Sequence, residues 1–224
     1  MELSFRSVKG REIKAYIFNP DKKPTTLIIG GIHGDENSGV SLAHSLLREI
    51  RHRFLSGFPG GIIIIPVANP DGLAAKTRGN ARGIDINRNF PTGDFRSGFF
   101  RQRFNPGKRA ASEPETRAIL EVASRFRPDL ILTFHAAMGC VNYDGPAKGI
   151  AKRLSAKNGL PVLADLGYPT PGSMGTYFGR ERGIPIITLE LLPGEDQWRR
   201  HGEAILGLLY FGIKETECGD RSRE

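Results

Sequence analysis

The sequence predicts an α/β fold: a single domain over residues 1–224, built on a mostly parallel mixed sheet with helices on both faces. Three observations predict it. Short β-branched apolar runs bounded by turn residues recur along the chain, as buried strands do. Stretches of helical period separate them, and alternating strand with helix builds a sheet that needs cover on both faces. The 224 residues can bury a sizeable core, and no Pro/Gly/Ser-rich linker divides them.

In chain order, Glu12 to Phe18 puts Ile13, Ala15 and Ile17 on one face, the alternation of a more exposed edge strand. Thr26–Ile29 and Gly61–Ala68 read as buried strands, with a helix from Ser38 to Phe54 between them. Leu130–Phe134 and Pro185–Leu189 are two further buried strands, and helices are expected over 113–126, 146–158, 174–182 and 196–213. Thr92 to Ala111 follows neither period and reads as a long loop. It ends at Ser112-Glu113-Pro114-Glu115, where Ser112 as N-cap and Glu115 three residues later make a capping box. Glu113 there adds a charge that favours the helix dipole.

The net charge of +8 is spread along the chain, with a local concentration at Arg96, Arg101, Arg103, Lys108 and Arg109. No helix-turn-helix, zinc-finger or RNP pattern accompanies it, so no nucleic-acid partner is expected. An acidic small substrate or a solvated basic loop accounts for the charge. Cys140 and Cys218 lie far apart in a chain too large to need a staple, which reads as reduced thiols in the cytosol. The first residues carry no signal-like apolar run and no segment approaches a membrane span, so a cytoplasmic protein without a membrane partner is expected. Oligomeric state leaves no mark in the sequence.

The chemistry starts at Gly30-Gly31-Ile32-His33-Gly34-Asp35-Glu36, a glycine-rich turn that closes an apolar strand. His33 and Glu36 offer a nitrogen and an oxygen donor, and a catalytic zinc takes three protein ligands with a fourth position open. Alone the pair is a weak signal, since HxxE also arises on ordinary helices. A third ligand is expected from His135, which ends the run Asp129–Phe134, because open α/β sheets gather ligands at the carboxyl ends of their strands. His44, His52 and His201 lie in helical patterns and read as surface or packing residues.

Between these histidines, Ala68-Asn69-Pro70-Asp71-Gly72, Thr77-Arg78-Gly79-Asn80 and the run from Gly83 to Pro91 are dense in groups that recognise anions. Together with the His33 turn, His135 and Thr188-Leu189-Glu190, they resemble the zinc metallocarboxypeptidases related to carboxypeptidase A, over roughly residues 26 to 193. Within that family the chain is most similar to the bacterial murein tripeptide amidases, through HGDENSG at 33–39, GIDINRNFP at 83–91, SEPET at 112–116 and GYPTPGSMG at 167–175.

The resemblance implies one Zn²⁺ per chain on His33, Glu36 and His135, with Glu190 as general base. It implies Arg78 as the group that stabilises the oxyanion, and Asn87 with Arg88 as a clamp on the free α-carboxylate of the departing residue. Asp85 would orient His33 through its other ring nitrogen, or else stabilise the turn. Tyr168 falls where the family places a tyrosine that closes over substrate. Met174 resembles a specificity-pocket position, where an uncharged side chain argues against lysine or arginine ends, or is a helix core residue. The implied substrate is a small peptide: the γ-D-glutamyl–meso-diaminopimelate bond of a muropeptide, in peptidoglycan recycling. The alternatives are a general metallocarboxypeptidase, a deacylase of the succinylglutamate desuccinylase and aspartoacylase type, and a catalytically silent peptide-binding protein. The deacylases carry a further C-terminal β-rich domain, for which little chain remains after the helix at 196–213.

Overall fold

A computed structural model describes residues 1–53, 57–98 and 102–211. Among these residues eight strands form one sheet in the order β1-β2-β4-β3-β5-β8-β6-β7. They are β1 (Glu2–Arg6), β2 (Glu12–Phe18), β3 (Thr25–Ile29), β4 (Gly61–Ile65), β5 (Leu130–Ala136), β6 (Cys140–Asp144), β7 (Val162–Leu163) and β8 (Ile186–Leu191). The four central strands, β4, β3, β5 and β8, run parallel. Antiparallel pairing joins β2 to β4, β1 to β2 and β6 to β8.

Successive residues of a strand face opposite ways, so each central strand feeds two cores. Ile28, Ile62, Ile64, Leu130 and Leu132 pack beneath α1 (Asn37–Arg53), α4 (Lys148–Asn158) and α5 (Gln197–Phe211). Leu27, Ile29, Ile63, Ile65 and Ile131 pack on the other face against α3 (Pro114–Phe126) and a six-residue π-helical turn, Gly175–Arg180. This two-sided burial explains why the central strands are continuously apolar. No helix among the described residues is long and apolar enough to cross a membrane.

Several expectations are revised. Glu12–Phe18 is not the sheet edge, because β1 pairs with it from Glu2↔Tyr16 to Arg6↔Glu12. Its half-exposed alternation comes from incomplete cover on one face. The helix expected over 174–182 is the shorter π-helical turn. Asn69 caps an unforeseen short helix, α2 (Pro70–Ala75), by accepting from Gly72 N–H, with Pro70 in the first turn. The capping box does not form: Glu113 is the N-cap of α3 and makes no side-chain cap bond. Glu115 instead accepts from Val8 N–H and the Asn80 amide, tying β1's trailing loop to the segment before the site. Glu113 is buried and bonds Asn80 and Arg82. Phe54, Arg101, residues 212–213 at the end of the expected last helix, and Cys218 lie outside the described residues.

Candidate metal centre and active site

The site forms beyond the carboxyl ends of β3, β5 and β8. His33 follows β3 in a tight turn held by Asn69, whose Nδ2 donates to Ile32 O and Arg78 O. Glycine is required at position 34, since a Cβ there would lie 1.9 Å from the Gly72 carbonyl carbon. His135 sits in β5, and the β5–β8 ladder sets it opposite Glu190.

His33, Glu36 and His135 are buried, with one candidate ligand atom from each lying within 4.8 Å of the others. Glu36 Oε1 is 2.9 Å from His33 Nδ1, and Oε2 is 3.0 Å from His135 Nδ1. The two Nδ1 atoms face each other at 3.1 Å. Asp85, 1% exposed, meets His33 Nε2 at 2.9 Å and so holds the ring proton there. His33 then turns Nδ1 towards a second imidazole nitrogen and a carboxylate. Two nitrogens and an oxygen converging in this way form a donor set suited to zinc. Glu36 and Asp85 are both ionised here: burial opposes it, but adjacent His33, with His135 for Glu36 and Arg78 for Asp85, holds each carboxyl well below its usual range. For His33, burial is outweighed by Asp85 and Glu36, and the imidazole's pKa is raised.

Asp85 makes both contacts expected of it, to His33 and within its own turn. Its Oδ1 also accepts from Asn87 N–H and caps the short 3-10 turn Ile86–Arg88, while Oδ2 accepts from Arg78 Nε at 2.9 Å. Arg78 Nη1 reaches Glu36 at 3.2 Å, so the cation is fixed from two sides. The Arg88 guanidinium is buried and donates to Asn87 O. Burial, and then the neighbouring Arg78 charge, push its pKa down despite Asp85. Asn87 Oδ1 accepts from Met174 N–H at 2.9 Å, which leaves its NH₂ as the group it has to offer.

His33, Glu36, His135, Arg78, Asn87 and Arg88 line one cavity of about 290 Å³, which also includes Glu190 and Tyr168. Tyr168 is 41% exposed and stacks on Phe104 at 6.4 Å between centroids. The Arg78 and Arg88 guanidinium carbons lie 5.2 and 5.3 Å from the Phe104 centroid. Two cations against one ring make this wall favour anions. Of the basic loop, exposed Arg103 joins the cavity wall, whereas Arg96, Lys108 and Arg109 are exposed elsewhere.

The histidines set aside as non-ligands stay apart: His44 and His52 are exposed on α1, and His201 is buried in α5 beside Asn158. Met174 belongs to the core and is 1% exposed, so it is not a cavity residue. Sequence reasoning missed Phe104, Asn142, Asp144 and Arg180, all of which line the cavity. The alternating pattern of Cys140–Asp144 after Gly139 was the available signal for the strand that carries two of them.

Residues 4–149 match the family model described as zinc carboxypeptidase. The chain belongs to the zinc carboxypeptidase family. This zinc carboxypeptidase is 30% identical to murein peptide amidase A of Escherichia coli K12 over 204 residues, covering 84% of this chain and 79% of the relative. It is also 30% identical to murein peptide amidase A of Vibrio campbellii over 218 residues, covering 91% and 85%. Among solved structures, the murein-tripeptide amidase of Escherichia coli O157 superposes with a TM-score of 0.79 at 26% identity, covering 96% of this chain and 93% of that one. The protein is thus a hydrolase of the zinc carboxypeptidase and amidase type, and the His33–Glu36–His135 set agrees with the family's zinc.

Proposed function

We propose that the protein hydrolyses the amide between γ-D-glutamate and meso-diaminopimelate in a murein tripeptide, acting in the cytoplasm on a small muropeptide with no nucleic-acid or membrane partner. The observation that carries this reading is one cavity that brings the His–Glu–His set and Glu190 together with Asn87 and Arg88, a clamp for a free carboxylate. The names of the relatives over most of the chain support the substrate.

Zinc held by His33, Glu36 and His135 supplies a Lewis acid that acidifies water and polarises a carbonyl. Glu190 takes the proton from the attacking water and delivers it to the leaving amine nitrogen. Arg78, fixed by Asp85 and Glu36 before substrate arrives, faces the carbonyl oxygen as it gains charge, where a preorganised cation helps most. Arg88, with the Asn87 NH₂, binds the α-carboxylate of the departing residue, and a planar guanidinium suits that bidentate pair. In this reading Tyr168, which lines the cavity and stacks on Phe104, closes over bound substrate.

Incubating the zinc-loaded protein with L-alanyl-γ-D-glutamyl-diaminopimelate, with ordinary C-terminal dipeptides and with an N-acyl amino acid, followed by mass spectrometry, tests the reading. Release of diaminopimelate from the tripeptide is expected to dominate. Preference for the ordinary peptides would leave a general carboxypeptidase, and cleavage of N-acyl amino acids alone would leave a deacylase.

A further inference from the structure

We propose that Asp144 and Arg180 form the subsite that reads the far end of the departing residue's side chain, and that they select an end carrying both an ammonium and a carboxylate. This rests on the substrate reading above. Three observations place the subsite. In the β6–β8 ladder Cys140 pairs with Glu190, Asn142 with Thr188 and Asp144 with Ile186. Side chains two apart share a face, so Asn142 and Asp144 lie on the same face as Glu190 and step away from it along β6.

The second observation links Asp144 to the carboxylate clamp. Asn87 Oδ1 binds Met174 N–H, and the next residue, Gly175, touches the Asp144 carboxylate. A Cβ at Gly175 would lie 2.2 Å from Asp144 Oδ2. Asn87 and Asp144 therefore contact two adjacent residues, Met174 and Gly175. A residue held by its α-carboxylate at Asn87 and Arg88 has Asp144 within its side chain's part of the cavity.

The third observation is chemical. Asn142, Ser173, Gly175 and Thr188 line the same cavity as Asp144, and these small or polar groups suit a polar end. Asp144 Oδ1 accepts from Arg180 Nε at 2.7 Å, with the carboxylate side chain 12% exposed and the guanidinium 58% exposed. A pair open to water on its cationic side adds little to stability. An incoming lone ammonium gains Asp144 but meets the Arg180 charge, and a lone carboxylate gains Arg180 but meets Asp144. An α-amino-acid head gives its ammonium to Asp144 and its carboxylate to the free edge of Arg180, so neither charge is left unmatched.

Three tripeptides that differ only in the departing residue test this: diaminopimelate, lysine, which lacks the distal carboxylate, and 2-aminopimelate, which lacks the distal ammonium. With the native zinc-loaded enzyme, kcat/KM is expected to fall about ten- to a hundredfold for each incomplete side chain, the size of a lost charge-assisted bond. Asp144→Asn should close the gap between diaminopimelate and 2-aminopimelate while keeping the gap to lysine. Arg180→Gln should do the reverse, so each variant reports its own folded state through the discrimination it keeps. Native cleavage of the lysine peptide at the diaminopimelate rate, or variants with native ratios, would overturn the subsite alone. A native enzyme that cleaves none of the three overturns the substrate reading and the subsite with it.

Discussion

Replacing Asp85 by asparagine changes one oxygen to an NH₂ in a site where the carboxylate has three donors to satisfy, from His33, Asn87 and Arg78. An amide offers a single acceptor oxygen and cannot serve them all. If that oxygen stays towards His33 and Asn87, the NH₂ points at Arg78 Nε–H, donor against donor, and the largely buried guanidinium keeps only its 3.2 Å contact with Glu36. If the amide flips, the NH₂ faces His33 Nε2, and the imidazole must move its proton to Nδ1, the atom that belongs to the zinc set. Either arrangement loses a charge-assisted bond in a buried site, a cost of about 2–3 kcal/mol. Since this contact orients a zinc ligand, zinc affinity should fall about 10- to 100-fold. Competition with a chromogenic chelator measures it, alongside thermal unfolding of the metal-free protein. Zinc affinity and turnover both at the native level in a folded Asp85→Asn protein would refute the reasoning.

Glu190→Gln should lower kcat by at least about a hundredfold while zinc content, measured by atomic absorption, stays at one per chain; native turnover would remove Glu190 from proton transfer. Arg88→Lys replaces the planar fork with a point charge and should raise KM for the free-acid tripeptide by about tenfold or more. The corresponding C-terminal amide should be much less affected, and an equal loss for both would argue against a carboxylate clamp. His201 gives a pH signature: burial, and then Arg200, push its pKa down to about 4. The unfolded imidazole titrates near 6.5, so the unfolded chain binds the extra proton between the two values. Its contribution is complete above pH 6.5 and is lost as pH falls towards 4, on the order of 1–2 kcal/mol once solvent screening is allowed for. Urea unfolding at pH 7 and 4.5 should show a shallower pH dependence for His201→Leu than for the native chain, and equal slopes would contradict the assignment.

The central strands were legible because burial on both faces leaves a continuous β-branched run, and His33, His135 and Glu190 because each ends or follows such a run. β1 escaped notice, as Leu3 and Phe5 are its only large apolar residues in a strand exposed at every other position. Arg78, Asn87 and Arg88 were readable only through ordered motifs, since periodicity has no signal for an irregular segment. Met174 and Gly175 show a sharper limit. A helical period says that one side of residues 174–182 is buried but not which residue touches a strand elsewhere in the chain. Gly175 lines the cavity against Asp144, while its neighbour Met174 fills the core. The capping box expected from Ser112 and Glu115 failed for a similar reason: Val8 and Asn80 occupy Glu115, so the local cap was not available.

His135, Glu190 and Cys140 stand side by side on three hydrogen-bonded strands. Neighbouring strands lie about 4.8 Å apart whatever their side chains, so peptide geometry sets the spacing between a metal ligand and the proposed base. The Cys140 thiol, beside Glu190 in that ladder, has its pKa pushed up to about 11 by burial and by that carboxylate, which keeps it neutral. Reaction distance is thus written in the backbone ladder, and substrate choice in side chains such as Asp144 and Arg180. The two can be edited separately: a library confined to the cavity's far wall can change which peptide is cut without disturbing the spacing that does the cutting.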